Sequence, residues 1–147
     1  MKREIKPCNA IILSMVLAIV FAVAFTSCKK NTLSAQEIAK MKLIANTWIM
    51  QSVRVDGVDQ TAIYKGLTIN FTPATYETTN GGVVWPASGT WKFTSSDFTT
   101  LKREDGIEVQ VEVADETLNL SLTWAKTTLS GGRLGSIKGR HIFSFGK

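Results

Sequence analysis

A chain of 147 residues with a net charge of +5, two cysteines and a single histidine has the length of one ordinary domain and little inventory for catalysis or metal binding. One histidine, His141, excludes a histidine-rich metal site; a His/Cys dyad would need a free cysteine, and both cysteines, Cys8 and Cys28, fall in the first 28 residues. From residue 28 onward the net charge is +3, because the first 27 residues hold three of the 17 Lys and Arg and one of the 12 acids; the basic residues are scattered apart from Lys29-Lys30, which argues against nucleic acid as a partner.

The amino-terminal stretch MKREIKPCN sets Lys2, Arg3 and Lys6 against one acid, Glu4, and is followed by AIILSMVLAIVFAVAF, sixteen residues without a charge. That is the anatomy of a secretory signal, and it is shorter than the roughly 20 residues that span a bilayer. It runs into Phe25-Thr26-Ser27-Cys28-Lys29-Lys30, with a cysteine where a lipidation site falls, and so resembles a bacterial lipoprotein signal. The resemblance implies that residues 1–27 are removed and that Cys28 becomes the acylated first residue, held by palmitate-type chains. Several chains, each stabilised by about 0.8 kcal/mol per buried methylene, hold a protein durably at a membrane. Lys29 stands where some inner-membrane lipoproteins have aspartate, and no acidic export cluster follows, so the expected location is the outer membrane, lipid-anchored and facing the periplasm. Cys8 would leave with the leader, so no disulfide framework is expected.

Residues 28–33 read as a tether. Ser34-Ala35-Gln36-Glu37 has capping-box spacing, and IAKMKLIAN sets Ile38, Met41 and Ala45 along one side of a helix of about three turns, expected to lie as a lid or plug on a core. From Asn46 the period becomes two. Ile107, Val109, Val111 and Val113 alternate with polar residues, as do Leu118, Leu120, Leu122 and Trp124, each the pattern of a strand with one buried face. Asp56-Gly57, Thr72-Pro73-Ala74, Asn80-Gly81-Gly82, Ser95-Ser96-Asp97 and Asp105-Gly106 supply turns. The runs predict eight strands near 47–55, 67–72, 75–79, 88–94, 98–103, 107–113, 117–125 and 137–145. Such a series suggests an all-β domain over 34–147, an eight-stranded antiparallel up-and-down barrel with a short N-terminal helix. A two-sheet β-sandwich is the alternative, with crossovers at 56–66 and 126–136.

Asn46-Thr47-Trp48, at the head of the first strand after a short helix, looks like the G-x-W opening of the lipocalins, and the chain resembles small bacterial lipocalin-like lipoproteins. That resemblance implies a barrel in which Arg140, on the last strand, packs across Trp48 as a structural cation-π pair. Asn46 replaces the family's glycine, Gly89-Thr90-Trp91 is a fuller match on a middle strand, and alternation puts Arg140 out of phase with Phe143 and Phe145.

No catalytic constellation emerges. Glu108 and Glu112 share a strand face but lie about 13 Å apart at strand rise, too far for paired-carboxylate chemistry. Ser130-Gly131-Gly132-Arg133-Leu134-Gly135 lacks the G-K-[ST] ending of a phosphate loop, and a lone histidine in a strand beside Phe143 is expected to be structural. Neither a metal nor a cofactor is expected. Trp85-Pro86, in GGVVWPAS, places a bulky aromatic on a loop at a barrel mouth. The inward positions Leu67, Ile69, Phe71, Trp91, Phe93, Val109, Val111, Leu120 and Leu122 are apolar. The expectation is a non-catalytic protein binding a small hydrophobic ligand, with Trp85, Trp91, Phe93, Tyr64 and Phe71 as its contacts. The alternative is an interaction module docking on an envelope protein or polysaccharide through Trp85, Tyr64 and Arg133. A solidly packed interior would count against the first.

Overall fold

The computed structural model describes residues 33–126 and 137–147. Residues 1–32, with Cys28, and residues 127–136, with Arg133, lie outside the described residues. Helix α1 (Ala35–Ile44) is followed by strands β1 (Thr47–Val55) and β2 (Val58–Asp59), a single 3-10 turn (Thr61–Tyr64), then β3 (Thr68–Phe71), β4 (Thr75–Thr79), β5 (Ser88–Phe93), β6 (Thr100–Arg103), β7 (Glu108–Val113), β8 (Thr117–Trp124) and β9 (Gly139–Gly146). Leu33–Lys147 forms one compact unit.

From β3 to β9 each strand pairs antiparallel with the next, β1 pairs with β3, and β9 returns to β1 along Ile49↔Gly146 to Val55↔His141. That last pairing closes an eight-stranded barrel and excludes the two-sheet sandwich. Closure removes the unpaired edges that an open sheet would offer to other chains. The addition the sequence did not reveal is β2, whose two residues pair with the end of β1 through Arg54↔Asp59 and Val55↔Val58. Asp56 and Gly57 between them both have positive φ, +49° and +84°, the conformation that a two-residue hairpin turn requires and that Asp-Gly tolerates.

Strand β1 also carries an irregularity that alternation does not foresee. Trp48 points inward at its start, whereas Val53 and Val55 point inward at its end, a change of phase. The register against β9 slips between Met50 and Ser52. One extra residue, Gln51, has been accommodated in the bulge, and the bulge swaps the two faces.

Helix α1 begins as its capping box dictates. The Ser34 backbone N–H donates to Glu37 Oε2 at 2.7 Å and the Glu37 N–H donates to Ser34 Oγ at 3.2 Å, which satisfies two donors that a helix start leaves free. It covers the end of the barrel at which β1 begins. Leu43 is fully buried there, and the Trp48 indole N–H donates to the Leu43 carbonyl at 2.9 Å. Trp48→Phe removes that donor and strands the carbonyl, so a loss of about 1–2 kcal/mol is expected. Urea titration would measure it, together with faster amide exchange confined to the last turn of α1. Equal protection of those amides in both proteins would show that the hydrogen bond does not hold the helix.

Candidate functional site

The far end of the barrel, opposite α1, gathers the polar chemistry of the interior. In β6 the alternation that turns Leu101 inward also turns Arg103 inward, where it pairs across the sheet with Trp91. An arginine in that position is expensive to bury without partners, and the chain supplies a carboxylate, a carbonyl and aromatic faces. Asp105, two residues on in the β6–β7 turn, accepts from Arg103 Nε at 3.2 Å and from Nη2, so the pair is bidentate. The Val84 carbonyl accepts from Nη1 at 2.7 Å. The guanidinium lies over the Trp85 ring, 4.8 Å from its centroid, and 5.8 Å from that of Tyr76.

Trp85 arrives there because residues 80–87 fold into the barrel mouth. The Trp85 N–H donates to the Gly81 carbonyl at 3.1 Å, and Thr78 Oγ1 donates to the Trp85 and Pro86 carbonyls at 3.3 and 2.8 Å. Any side chain at Gly81 would place a Cβ 2.2 Å from the Trp85 carbonyl oxygen, so glycine alone permits so tight a coil. Asn80 Nδ2 donates to the Gly66 carbonyl at 3.3 Å and ties the loop to the neighbouring rim. The ring of Trp85, only 1% exposed, meets Tyr76 and Phe143 edge to face at 5.6 and 6.1 Å. Its indole N–H has no hydrogen-bond acceptor among the described residues.

His141 lies beside this cluster, fully buried and stacked on Phe143 at 5.6 Å. Its Nδ1 faces the Gly139 carbonyl at 3.1 Å, and a carbonyl only accepts, so Nδ1 carries the proton. Nε2 is then an acceptor and takes the hydrogen bond of the Tyr64 hydroxyl at 2.9 Å. Burial pushes the Tyr64 phenol up to about 12 and also raises Tyr76, with the Arg103 charge pulling Tyr76 the other way. Burial pushes the His141 imidazole below its ordinary value, against a smaller opposite pull from the Gly139 carbonyl and Asp56.

The pH consequence follows from that direction. Below about pH 6.5 the unfolded chain takes up a proton that the folded one resists, so the neutral ring's contribution is complete above that pH and is lost as pH falls, at no more than about 1.4 kcal/mol per unit. Urea midpoints are expected to fall between about pH 7 and pH 5, above the range in which the lowered carboxylates Glu37, Asp59, Asp97 and Asp115 begin to protonate. His141→Gln is expected to flatten that slope. An unchanged slope in the variant would assign the proton to another group.

The residues expected to contact a ligand lie largely inside the barrel but touch one another. Phe71 meets Trp91 at 5.7 Å, Trp91 meets half-buried Phe93 at 5.3 Å, and Tyr64 meets Phe143 at 5.1 Å. Trp85 does not line an open mouth; it closes it. Nor does the structure bring Trp48 and Arg140 together as a cation-π pair. Trp48 is inside, whereas Arg140 is exposed on the outer face with Gln110, Asn119 and Ser121, because His141, Phe143 and Phe145 take the inward phase of β9. The arginine that does stack on interior rings is Arg103. The signal for it was present, since Leu101 and Arg103 share a strand face, and Asp105 was readable only as a turn residue.

Two surface features complete this end. A cleft of about 300 Å³ is bordered by Val55, Asp56, Val58, Gln60, Ile63, Ile137 and Lys138, with Val58 and Ile63 both largely exposed. Val83 is also exposed on the neighbouring loop. Among the described residues no three His, Cys, Asp or Glu side chains are grouped to hold a metal ion, and no helix is long and apolar enough to cross a membrane. Comparison of the chain with protein-family models, with curated proteins and with solved structures gives no match.

Proposed function

We propose that the chain is a lipid-anchored, non-catalytic cell-envelope protein, tethered through Cys28, whose barrel presents the rim opposite α1 to a protein or polysaccharide partner. The observation that carries this reading is the close packing of the described inward-facing residues. Leu67, Ile69, Leu101, Val109, Leu118, Leu120 and Phe143 have no solvent-accessible surface, and a void admitting a water-sized probe beside them would leave some. The rim, by contrast, sets the exposed apolar residues Val58, Ile63 and Val83 around a cleft and its neighbouring loop. Exposed apolar side chains rimmed by polar ones are the usual mark of a docking surface. Tyr64 and Trp85 act from beneath, by supporting the rim from the core.

The second reading, a carrier of a small hydrophobic ligand, is favoured by the unpaired indole N–H of Trp85. A ligand would have to lift residues 80–87 and take the place of the Val84-Trp85 segment on Arg103. One experiment separates the two. The protein is isolated from membranes in lipidated form with a photo-activated cross-linking residue at Ile63, and its mass is measured under native conditions. A discrete cross-linked envelope partner, lost in Val58→Asp, supports the rim reading. A stoichiometric bound mass without a cross-link supports the carrier and would overturn it.

A further inference from the structure

Helix α1 keeps an apolar stripe on its solvent side. Ile38 and Met41, one turn apart, are 44% and 53% exposed, and Leu33 just before the helix is half exposed. Residues three and four apart share one helix face, so exposed Ala45 continues the stripe. The inner face needs none of them, because Leu43 alone is fully buried. The helix's two lysines are spent on the barrel: Lys40 lies over the Trp91 ring at 5.7 Å and Lys42 pairs with Asp115 at 3.0 Å. They therefore do not screen the stripe with hydrated charge; the ion beside it is Glu37, four residues before Met41, whose exposed carboxylate is held by the Ser34 N–H and hydroxyl.

The chain that precedes the helix limits what can cover this face. Only five residue steps separate Cys28 from Leu33, and five steps span at most about 18 Å when fully extended. In a barrel acylated at Cys28, Leu33 at the foot of α1 therefore cannot move more than that distance from the bilayer surface. Within so short a leash even a contact of millimolar affinity is populated, because the second binding event is intramolecular. Lys29 and Lys30, at the root of the leash, favour anionic headgroups.

We propose that α1 lies on the lipid surface, with Leu33, Ile38 and Met41 inserted at the headgroup boundary, so that the barrel stands with its Val58, Ile63 and Val83 rim turned away from the membrane. The inference rests on the lipid-anchor reading and adds an orientation to it. Amphipathic helices adopt this position when their apolar side chains reach the acyl boundary, and α1, which spends Leu43 on the barrel, offers its Leu33, Ile38 and Met41 edge.

The test uses the full chain, processed and acylated in a bacterial host and reconstituted in vesicles of phosphatidylethanolamine and phosphatidylglycerol. With Cys8 removed and Cys28 acylated, Met41→Cys supplies a single free thiol for an environment-sensitive fluorophore, and Ile63→Cys supplies the same on the opposite rim. The label at 41 is expected to shift to the blue and to be quenched at least threefold more strongly than that at 63 by lipids carrying a nitroxide near the headgroup. Ile38→Asp in the Met41→Cys protein is expected to remove most of that difference. Equal quenching at both positions would overturn the proposal, and so would a blue shift at 41 that persists in detergent-free solution without vesicles, which would mean a second copy covers the stripe. The mass of the amino-terminal peptide reports the anchor separately: an unacylated Cys28 would sink the anchor reading and the orientation with it, whereas an acylated Cys28 with a wet position 41 would sink the orientation alone.

Discussion

Asp105→Asn is expected to destabilise the protein by about 3 kcal/mol, more than removal of its partner, because it leaves a buried cation without its counter-charge. The Arg103 side chain is fully enclosed, whereas that of Asp105 is 25% exposed. Arg103→Met therefore frees a carboxylate that water can reach and replaces the guanidinium by an apolar chain of similar length. Its main cost is the stranded Val84 carbonyl, worth about 1–3 kcal/mol. The double variant is expected to lose less than the two single losses combined, with a coupling of about 1–3 kcal/mol, since neither change then leaves an unpaired charge. Urea midpoints of the four proteins decide it. Were Arg103→Met the more damaging substitution, the arginine would matter as a packed side chain rather than as a cation requiring Asp105.

The second large effect falls on Trp85. Trp85→Ala is expected to cost about 3–5 kcal/mol, the range for emptying a large aromatic from a core, because the ring packs against Tyr76, Phe143 and the Arg103 guanidinium together. The loss is also local. Residues 80–87 would then be held by the Thr78 hydroxyl and backbone N–H, the Asn80 amide and the Val84 carbonyl. Amide exchange at Gly81 and Trp85 is expected to accelerate well ahead of exchange in β8 and β9, whose long pairing anchors the sheet. Trp85→Phe is a telling control. The indole N–H has no acceptor among the described residues, so phenylalanine deletes no hydrogen bond and leaves only a modest loss of contact, about 1–2 kcal/mol. Uniform acceleration throughout the barrel in Trp85→Ala would mean that the loop is part of the global folding unit and not a separate plug.

Short-range chemistry accounts for what could be read without coordinates. Alternation in β7 and β8 is a property of neighbouring residues, and Val109, Val111, Leu118, Leu120 and Leu122 are buried where it placed them. The Ser34–Glu37 capping box closes within four residues, and Asp105-Gly106 turns the chain where expected. Eight of the nine strands among the described residues follow from these signals. Barrel closure does not, because the β1–β9 pairing joins residues about ninety positions apart and no local pattern favours it over two packed sheets. The Gln51 bulge hid the inward phase of β1 for a related reason, since a bulge exists only relative to the partner strand. Arg103 was overlooked because a cation is placed inside only when an acid, a carbonyl and an aromatic face converge on it, and two of those three arrive from residues 84–85, a loop without periodicity. Local period and turn chemistry thus determined which residues form strands and which faces are apolar. The tertiary structure alone decided that the barrel closes, that its mouth is filled by its own tryptophan, and which arginine that tryptophan covers, because each depends on contacts between segments far apart in the chain.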